Sequence, residues 1–295
     1  MPPSKFPEIQ PGGSLIVAWQ AKNKHILVVG GGEVQSNPSI RIYGHTIEAA
    51  AAAKGGGDKL TQPNHCLQVA AGRIVHGLNA GAKVTVISPS SGLNDEVSYR
   101  IASKQVSHID RKFEPHDLDP EKNDGIGVVD MVLVAVDDPE ASTQIWKLCK
   151  EHRIPANIAD VPSECDFYFG SVHRDGPLQI MVSTNGNGPK LASIVRKHIA
   201  RSLPGNTGAA IENVGRLRRR LRDLAASQKD GPKRMKWISR ICETWSLEEL
   251  VEMDEDDIET LLGYYPSDSV PTFEQVRLGE NAGVTVFDGS MGFSC

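Results

Sequence analysis

The stretch His25–His45, HILVVGGGEVQSNPSIRIYGH, decides the fold, because it begins as one motif and breaks off as another. HILVV is an apolar β-rich run that ends on three glycines, the form of a first strand and phosphate loop. Glycines there let a backbone approach a pyrophosphate, and the N–H groups of a following helix face its negative charge. Counted from Gly30, however, the sixth position of the fingerprint falls on Gln35, where Gly or Ala is needed for close helix–strand packing. Ser36, Asn37 and Pro38 then replace the expected helix.

Removing residues 34–68, a block of 35 residues, and joining Glu33 to Val69 restores the unit as HILVVGGGE/VAAGRIVHGLNAGAKVTVISP. Gly30, Gly32 and Ala70 then complete G-x-G-x-x-A, a helix of about three turns follows, Gly81 stops it, and KVTVI is the second strand. The block has AAAAAK and GGG runs and no core period. It opens on Val, whose codons begin GT, and closes on Gln, one of whose codons ends AG, as the edges of an intron read in frame would. Two readings are open: a retained intron or gene-model error, and a surface-loop insertion.

Outward from this unit, apolar runs alternate with helical patterns from about Ser14 to Asp160, the sign of a parallel sheet with crossover helices. Strands are expected at His25–Val29, Lys83–Ile87, Val106–Ile109, Met131–Val136 and Ala156–Ile158, with crossover helices at Val69–Asn79 and Pro139–His152. Two short strands follow, Phe167–Phe169 and Leu178–Ser183, joined by HRDGP, and then a helix over Pro189–Ser202. Further helices are expected at Thr207–Ser227, Pro232–Trp245 and the acidic Ser246–Leu262. Beyond Tyr265 the sequence loses its period, and residues 266–295 read as a disordered tail.

Net charge of −5 gives the chain no reason to coat nucleic acid or an anionic membrane, and no run approaches the ~18 apolar residues of a span. Cys66, Cys149, Cys165, Cys242 and Cys295 are odd in number and form no CxxC pair, which argues against a disulfide framework and a structural zinc site. The histidines are too dispersed for metal ligation, so no metal site is expected, and the cytosol is the default compartment.

The order VVGGGE, VAAGR, GAKVTVISP, VLVAVDDPE, NIADVPSECDFYFGS and LQIMVSTNGNGPKLASIVRKHI resembles the sirohaem-synthesis dehydrogenase/ferrochelatase family, most of all its stand-alone fungal type, and is similar to the N-terminal half of bacterial sirohaem synthase. The resemblance covers about Ser14–Ser227 apart from the block, with NIAD, CDFYFG and STNGNGP its most specific parts. It implies an α/β fold: a Rossmann-type parallel sheet, a small strand-pair/helix dimerisation region and a C-terminal helical domain, over residues 14–163, 164–203 and 204–265. It implies oxidation of the tetrapyrrole precorrin-2 to sirohydrochlorin with NAD, insertion of ferrous iron as a substrate, and a homodimer. The methyltransferase domain of the fused bacterial enzyme has no counterpart, so methylation is expected from a separate protein.

By the same resemblance Asp160, after NIA, serves both reactions: dehydrogenation releases a proton, and metal insertion requires pyrrole protons to leave. Read alone, Asp160 is more simply a helix-capping or loop residue. NAD contacts fall on Gly30, Gly31, Gly32, Glu33, Val34, Val69, Ser88, Pro89, Ser90, Val136 and Asp137. Strand KVTVI ends in Ser88 rather than in the carboxylate that usually holds the ribose hydroxyls, so NADP stays open on the residues alone. Thr184 and Asn185 fall beside the substrate pocket, although a strand-end Thr needs no such role. The substrate's eight carboxylates call for positive charge, which Arg196, Arg201 and the run Arg216–Arg222 offer, and a solvated helix face accounts for part of that run. Two other readings stay open: a dehydrogenase without chelatase activity, and a non-catalytic NAD-sensing subunit.

Overall fold

A computed structural model describes residues 14–31, 65–91 and 93–278, which divide into two compact units between Phe169 and Gly170. In the first unit, five parallel strands lie in the order β3-β2-β1-β4-β5: β1 His25–Val29, β2 Lys83–Ile87, β3 Ser107–Ile109, β4 Met131–Val134 and β5 Ala156–Ile158. Order reverses at β1, which pairs with β2 on one side and β4 on the other, so this is the doubly wound Rossmann arrangement.

Both faces of the sheet are covered, as parallel strands require. Ile26 and Val28 of β1 pack with Val84, Val86 and Leu133 under Ala71 and Ile74 of α1 (His65–Asn79) and Val97 of α2 (Asp95–Ala102). Leu27 and Val29 point the other way, to Val132, Val134 and Ile158, where Leu118 and Ile145 and Cys149 of α3 (Pro139–Glu151) close the layer. Helix α1 is thus the crossover between β1 and β2 that VAAGRIVHGLNA was expected to form. It begins at His65 rather than Val69, four residues inside the block, while residues 32–64 lie outside the described residues. Asp138 caps α3 by accepting from the amides of Glu140 and Ala141 at 3.0 and 3.1 Å, and Pro139 fills its first turn.

The second unit opens on an antiparallel pair, β6 (Ser171–Asp175) and β7 (Leu178–Val182). The first strand of this pair therefore lies at Ser171–Asp175, not at Phe167–Phe169. Phe167 gives its carbonyl to Asn157 Nδ2 at 2.7 Å, and Phe169 stacks on His76 of α1, so that segment is held by the first unit. His173, Arg174 and Asp175 belong to the strand, which leaves Gly176–Pro177 as the turn. Helices α4 (Pro189–Ser202) and α5 (Thr207–Leu224) follow. Gly208 seats α5 on the hairpin tip: its amide donates to Asp175 Oδ2 at 2.8 Å, and a Cβ there would stand 2.1 Å from the Asp175 carbonyl oxygen.

Leu217 and Leu221 of α5 pack against Trp237, Ile238 and Ile241 of α6 (Gly231–Thr244). The acidic stretch is two helices, α7 (Leu247–Glu252) and α8 (Glu255–Tyr264), because Ser246/Glu249 and Asp254/Asp257 each form a capping box and start a separate helix. Asn213 of α5 donates to the carbonyls of Leu250 and Val251 at 2.9 and 3.0 Å and satisfies the end of α7.

The disordered tail expected from residue 266 is corrected over residues 266–278; residues 279–295 lie outside the described residues. The buried indoles of Trp237 and Trp245 need acceptors, and they take the carbonyls of Ser269 and Pro271 at 2.7 and 3.0 Å. Phe273 of α9 (Phe273–Leu278) stacks edge-on against Trp245 at 5.1 Å, and Val276 is buried in the same core. Phe273→Ala is therefore expected to cost about 2–3 kcal/mol in urea unfolding of the full chain, below the range for a fully buried Phe because this ring is only half covered. A change under ~0.5 kcal/mol, the scale of an ordinary surface substitution, would show that the segment does not contribute to the core.

Candidate functional site

In an open α/β sheet the crevice lies beyond the carboxyl ends of the strands, where the strand order reverses. At that point β1 ends in Gly30, whose φ of +92° suits glycine alone. A Cβ on Gly30 would lie 2.2 Å from the carbonyl oxygen of Ala135, so only glycine lets the ends of β1 and β4 come this close. The Gly30 amide donates to Ile87 O at 2.9 Å, and Ala135 N donates to Val29 O at 2.8 Å, which ties the three central strand ends together.

A cavity of about 540 Å³ opens over these ends. Of the expected cofactor residues, Gly30, Ser88, Pro89, Val136 and Asp137 line it. Gly31 packs beside Leu93 and Val86, and its carbonyl accepts from Asn94 N at 3.0 Å, so it supports the loop before α2. Ser90 is exposed; its amide donates to Asp110 Oδ1 at 2.6 Å, and hydrogen bonding from the Ser90 hydroxyl first, and from this amide second, holds the Asp110 carboxyl below its usual range. Val69 lies half-buried on α1, and Gly32, Glu33 and Val34 are outside the described residues.

The sequence pattern missed Lys112, Phe113 and Pro115 from the segment after β3, and Ala141, Gln144 and Leu148 from α3, all of which line the same cavity. The rule that every strand of a doubly wound sheet delivers its following loop to one edge points to the first group. The α3 group depends on which face that helix turns to the sheet. Lining by Val29, Ile87, Val136, Ile145 and Leu148, with Ser88, Lys112 and Gln144 among them, is the mix of apolar wall and few polar groups that small-ligand sites show. These residues, and the close approach at Gly30, fit a dinucleotide.

Asp160 stands two residues past β5, exposed, with φ of +60°. Its turn is braced from several sides. Ala159 N donates to Val134 O at 2.9 Å, Cys165 Sγ donates to Ile158 O at 3.2 Å, and Ala156 N donates to Asp166 Oδ2 at 2.9 Å. Arg73, buried on α1, donates to Val134 O at 2.6 Å and to the Asn157 carboxamide. The arginine of VAAGR thus ties the ends of β4 and β5 to α1. Burial pushes the Cys165 thiol up, and that of Cys149 to about 12, which disfavours the thiolate at both.

In the second unit Thr184 uses its hydroxyl to accept from Gly188 N at 3.2 Å, and its carbonyl accepts from Asn187 N at 2.9 Å. It therefore shapes the STNGNGP turn before α4. Asn185 is exposed there with φ of +49°. Arg196 Nε donates to Ser171 Oγ at 3.0 Å and ties α4 to β6, while Arg201 is exposed at the end of α4. Of the arginine run, Arg216 pairs with Glu255 at 2.5 Å and Arg220 pairs with Glu259, which gives these two a structural use.

Models of known families match three consecutive parts of the chain. One described as NAD(P)-binding matches residues 68–171, one described as sirohaem biosynthesis protein central matches 175–202, and one described as sirohaem biosynthesis protein C-terminal matches 204–271. The chain is 47% identical over 273 residues to a siroheme biosynthesis protein of Schizosaccharomyces pombe, covering 92% of this chain and 87% of that protein. It is 28% identical to the siroheme biosynthesis protein of Saccharomyces cerevisiae, over 82% of this chain and 86% of that protein. The siroheme synthase of Thioalkalivibrio sulfidiphilus is 30% identical over 71% of this chain, which spans only 44% of that longer protein. Among solved structures, SirC, a precorrin-2 dehydrogenase, shares the fold with a TM-score of 0.50 at 17% identity, over 90% of this chain and 100% of that one. With 47% identity to one such protein over 92% of this chain, and sirohaem biosynthesis models matching residues 175–202 and 204–271, the chain belongs to the sirohaem biosynthesis protein family.

Proposed function

We propose that this protein oxidises precorrin-2 to sirohydrochlorin with NAD and then inserts ferrous iron, a substrate, to give sirohaem. The observation that carries the reading is the cavity over the β1/β4 switch point, in a chain so similar to a siroheme biosynthesis protein. NAD, when bound, supplies the hydride acceptor. Gly30, Ser88, Pro89, Val136 and Asp137 would hold it, with Lys112, Phe113 and Gln144 completing the walls. The choice of NAD over NADP rests on the family.

Asp160 is assigned to the chemistry. Its carboxylate, presented past β5 in a braced turn, takes the proton released as hydride leaves, and takes a pyrrole proton as iron enters. Thr184, Asn185, Arg196 and Arg201 are assigned to the substrate, with Thr184 and Arg196 positioning the segments that carry the others. A single carboxylate in two reactions predicts that Asp160→Ala lowers precorrin-2 oxidation and iron insertion together, each by at least about 100-fold. NAD affinity should stay within about twofold of wild type, a small fraction of the tenfold that 1.4 kcal/mol represents. Normal turnover of either reaction by the folded variant removes Asp160 from that step.

The 34–68 block is proposed to be foreign to the phosphate loop. The NAD(P)-binding model takes up the chain at residue 68, where the block ends, and residues 69–79 make the crossover helix the motif requires. Deleting residues 34–68, so that Glu33 joins Val69, is expected to tighten NAD binding by about tenfold or more, since each added phosphate contact by backbone N–H is a charge-assisted bond. Equal affinity with and without the block would make it a tolerated surface loop.

A homodimer is also proposed. Helix α4 leaves Leu191, Ile194 and Val195 exposed, at 57%, 54% and 39%, and β7 leaves Met181 exposed at 37%. That is an apolar surface of the kind association covers. Ile194→Glu should shift the full chain from dimer to monomer in analytical ultracentrifugation, and an unchanged dimer would place the interface elsewhere.

A further inference from the structure

Five arginines fall within residues 216–222 of α5, and their surroundings divide them. Arg216 and Arg220 turn to the acidic residues of α8. Arg218 and Arg222, one turn apart, pair with no carboxylate among the described residues; they line a cavity of about 310 Å³ between α5 and α6. Arg234 of α6 joins them, anchored by its Nη1, which donates to Ser227 O at 2.8 Å and to Ala225 O. Leu221, Met235 and Ile238 supply an apolar floor, and no acidic side chain lines the cavity.

Like charges at i and i+4 disfavour a helix, and a third guanidinium across the cavity adds to the repulsion. Counter-charge from α8 serves one side of α5 and not this one. Guanidiniums are weakly hydrated, rigid forks that match tetrahedral oxyanions, and an apolar floor lowers the local dielectric and strengthens the attraction. A net charge of three favours an anion of at least two charges over one carboxylate. The volume lies at the low end of the roughly 300–1,000 Å³ of small-ligand cavities, too small for a tetrapyrrole macrocycle and suited to a diphosphate.

We propose that the cavity between α5 and α6 is a binding site for a compact phosphate-class polyanion, a diphosphate or a small phosphorylated metabolite, held by Arg218, Arg222 and Arg234. The site uses none of the residues assigned to NAD or to Asp160. The test is calorimetric titration of the full chain with inorganic pyrophosphate at fixed ionic strength. Saturable binding is expected in the wild type, weakened about tenfold or more in Arg222→Gln and again in Arg218→Gln, both exposed positions whose folding is checked by circular dichroism. Arg219→Gln, on the same helix but outside the cavity, should bind as the wild type does. Absence of saturable binding up to millimolar pyrophosphate overturns the proposal, as does affinity unchanged by Arg222→Gln. Citrate binding as tightly as pyrophosphate, with the same dependence on Arg222, would make this a carboxylate site and overturn the phosphate assignment.

Discussion

The first unit depends on the approach of two strand ends at Gly30. Because the strand order reverses between β1 and β4, their following helices leave toward opposite faces and a crevice opens between them. The crevice keeps its shape only if the chain can turn away from β1 against the Ala135 carbonyl, and a Cβ at Gly30 would occupy that carbonyl's space. The residues lining the crevice, the β4 loop and the cap of α3 are all arranged around this one contact.

A second layer of positioning comes from buried polar groups. Arg73 reaches from α1 to the carbonyl ends of β4 and β5, and Asn157 passes the linkage on to Phe167. Inside a protein such bonds are costly to lose, since each would leave a buried donor or acceptor unsatisfied. The Asp160 turn therefore inherits its position from the sheet and from α1. In the helical unit the same logic applies to the two buried indoles, which draw residues 269–271 into the fold.

Much of this was legible in residue patterns. The runs HILVV and KVTVI and the short ANI gave β1, β2 and β5 to the residue, because buried parallel strands need continuous apolar stretches and their ends are marked by turn residues. The helix over Pro189–Ser202 was equally clear, with Pro at its first turn. Less was legible where partners lie far along the chain. Phe167–Phe169 has strand composition, yet its groups are taken by Asn157 and His76. Residues 266–278 lack period, yet two tryptophans require them.

The sequence by itself determined the order of elements, the interrupted glycine loop, and the aspartate that follows the fifth strand, since these depend on local spacing and on side chains that permit or forbid a backbone shape. Only the tertiary structure decided which side chains share the crevice, that Thr184 and Arg196 brace their own segments, and that five neighbouring arginines have different uses. A helix sends successive residues about 100° apart, so what each arginine does is set by whatever element packs on its side. Here α8 brings carboxylates to Arg216 and Arg220, while α6 brings another arginine to Arg218 and Arg222.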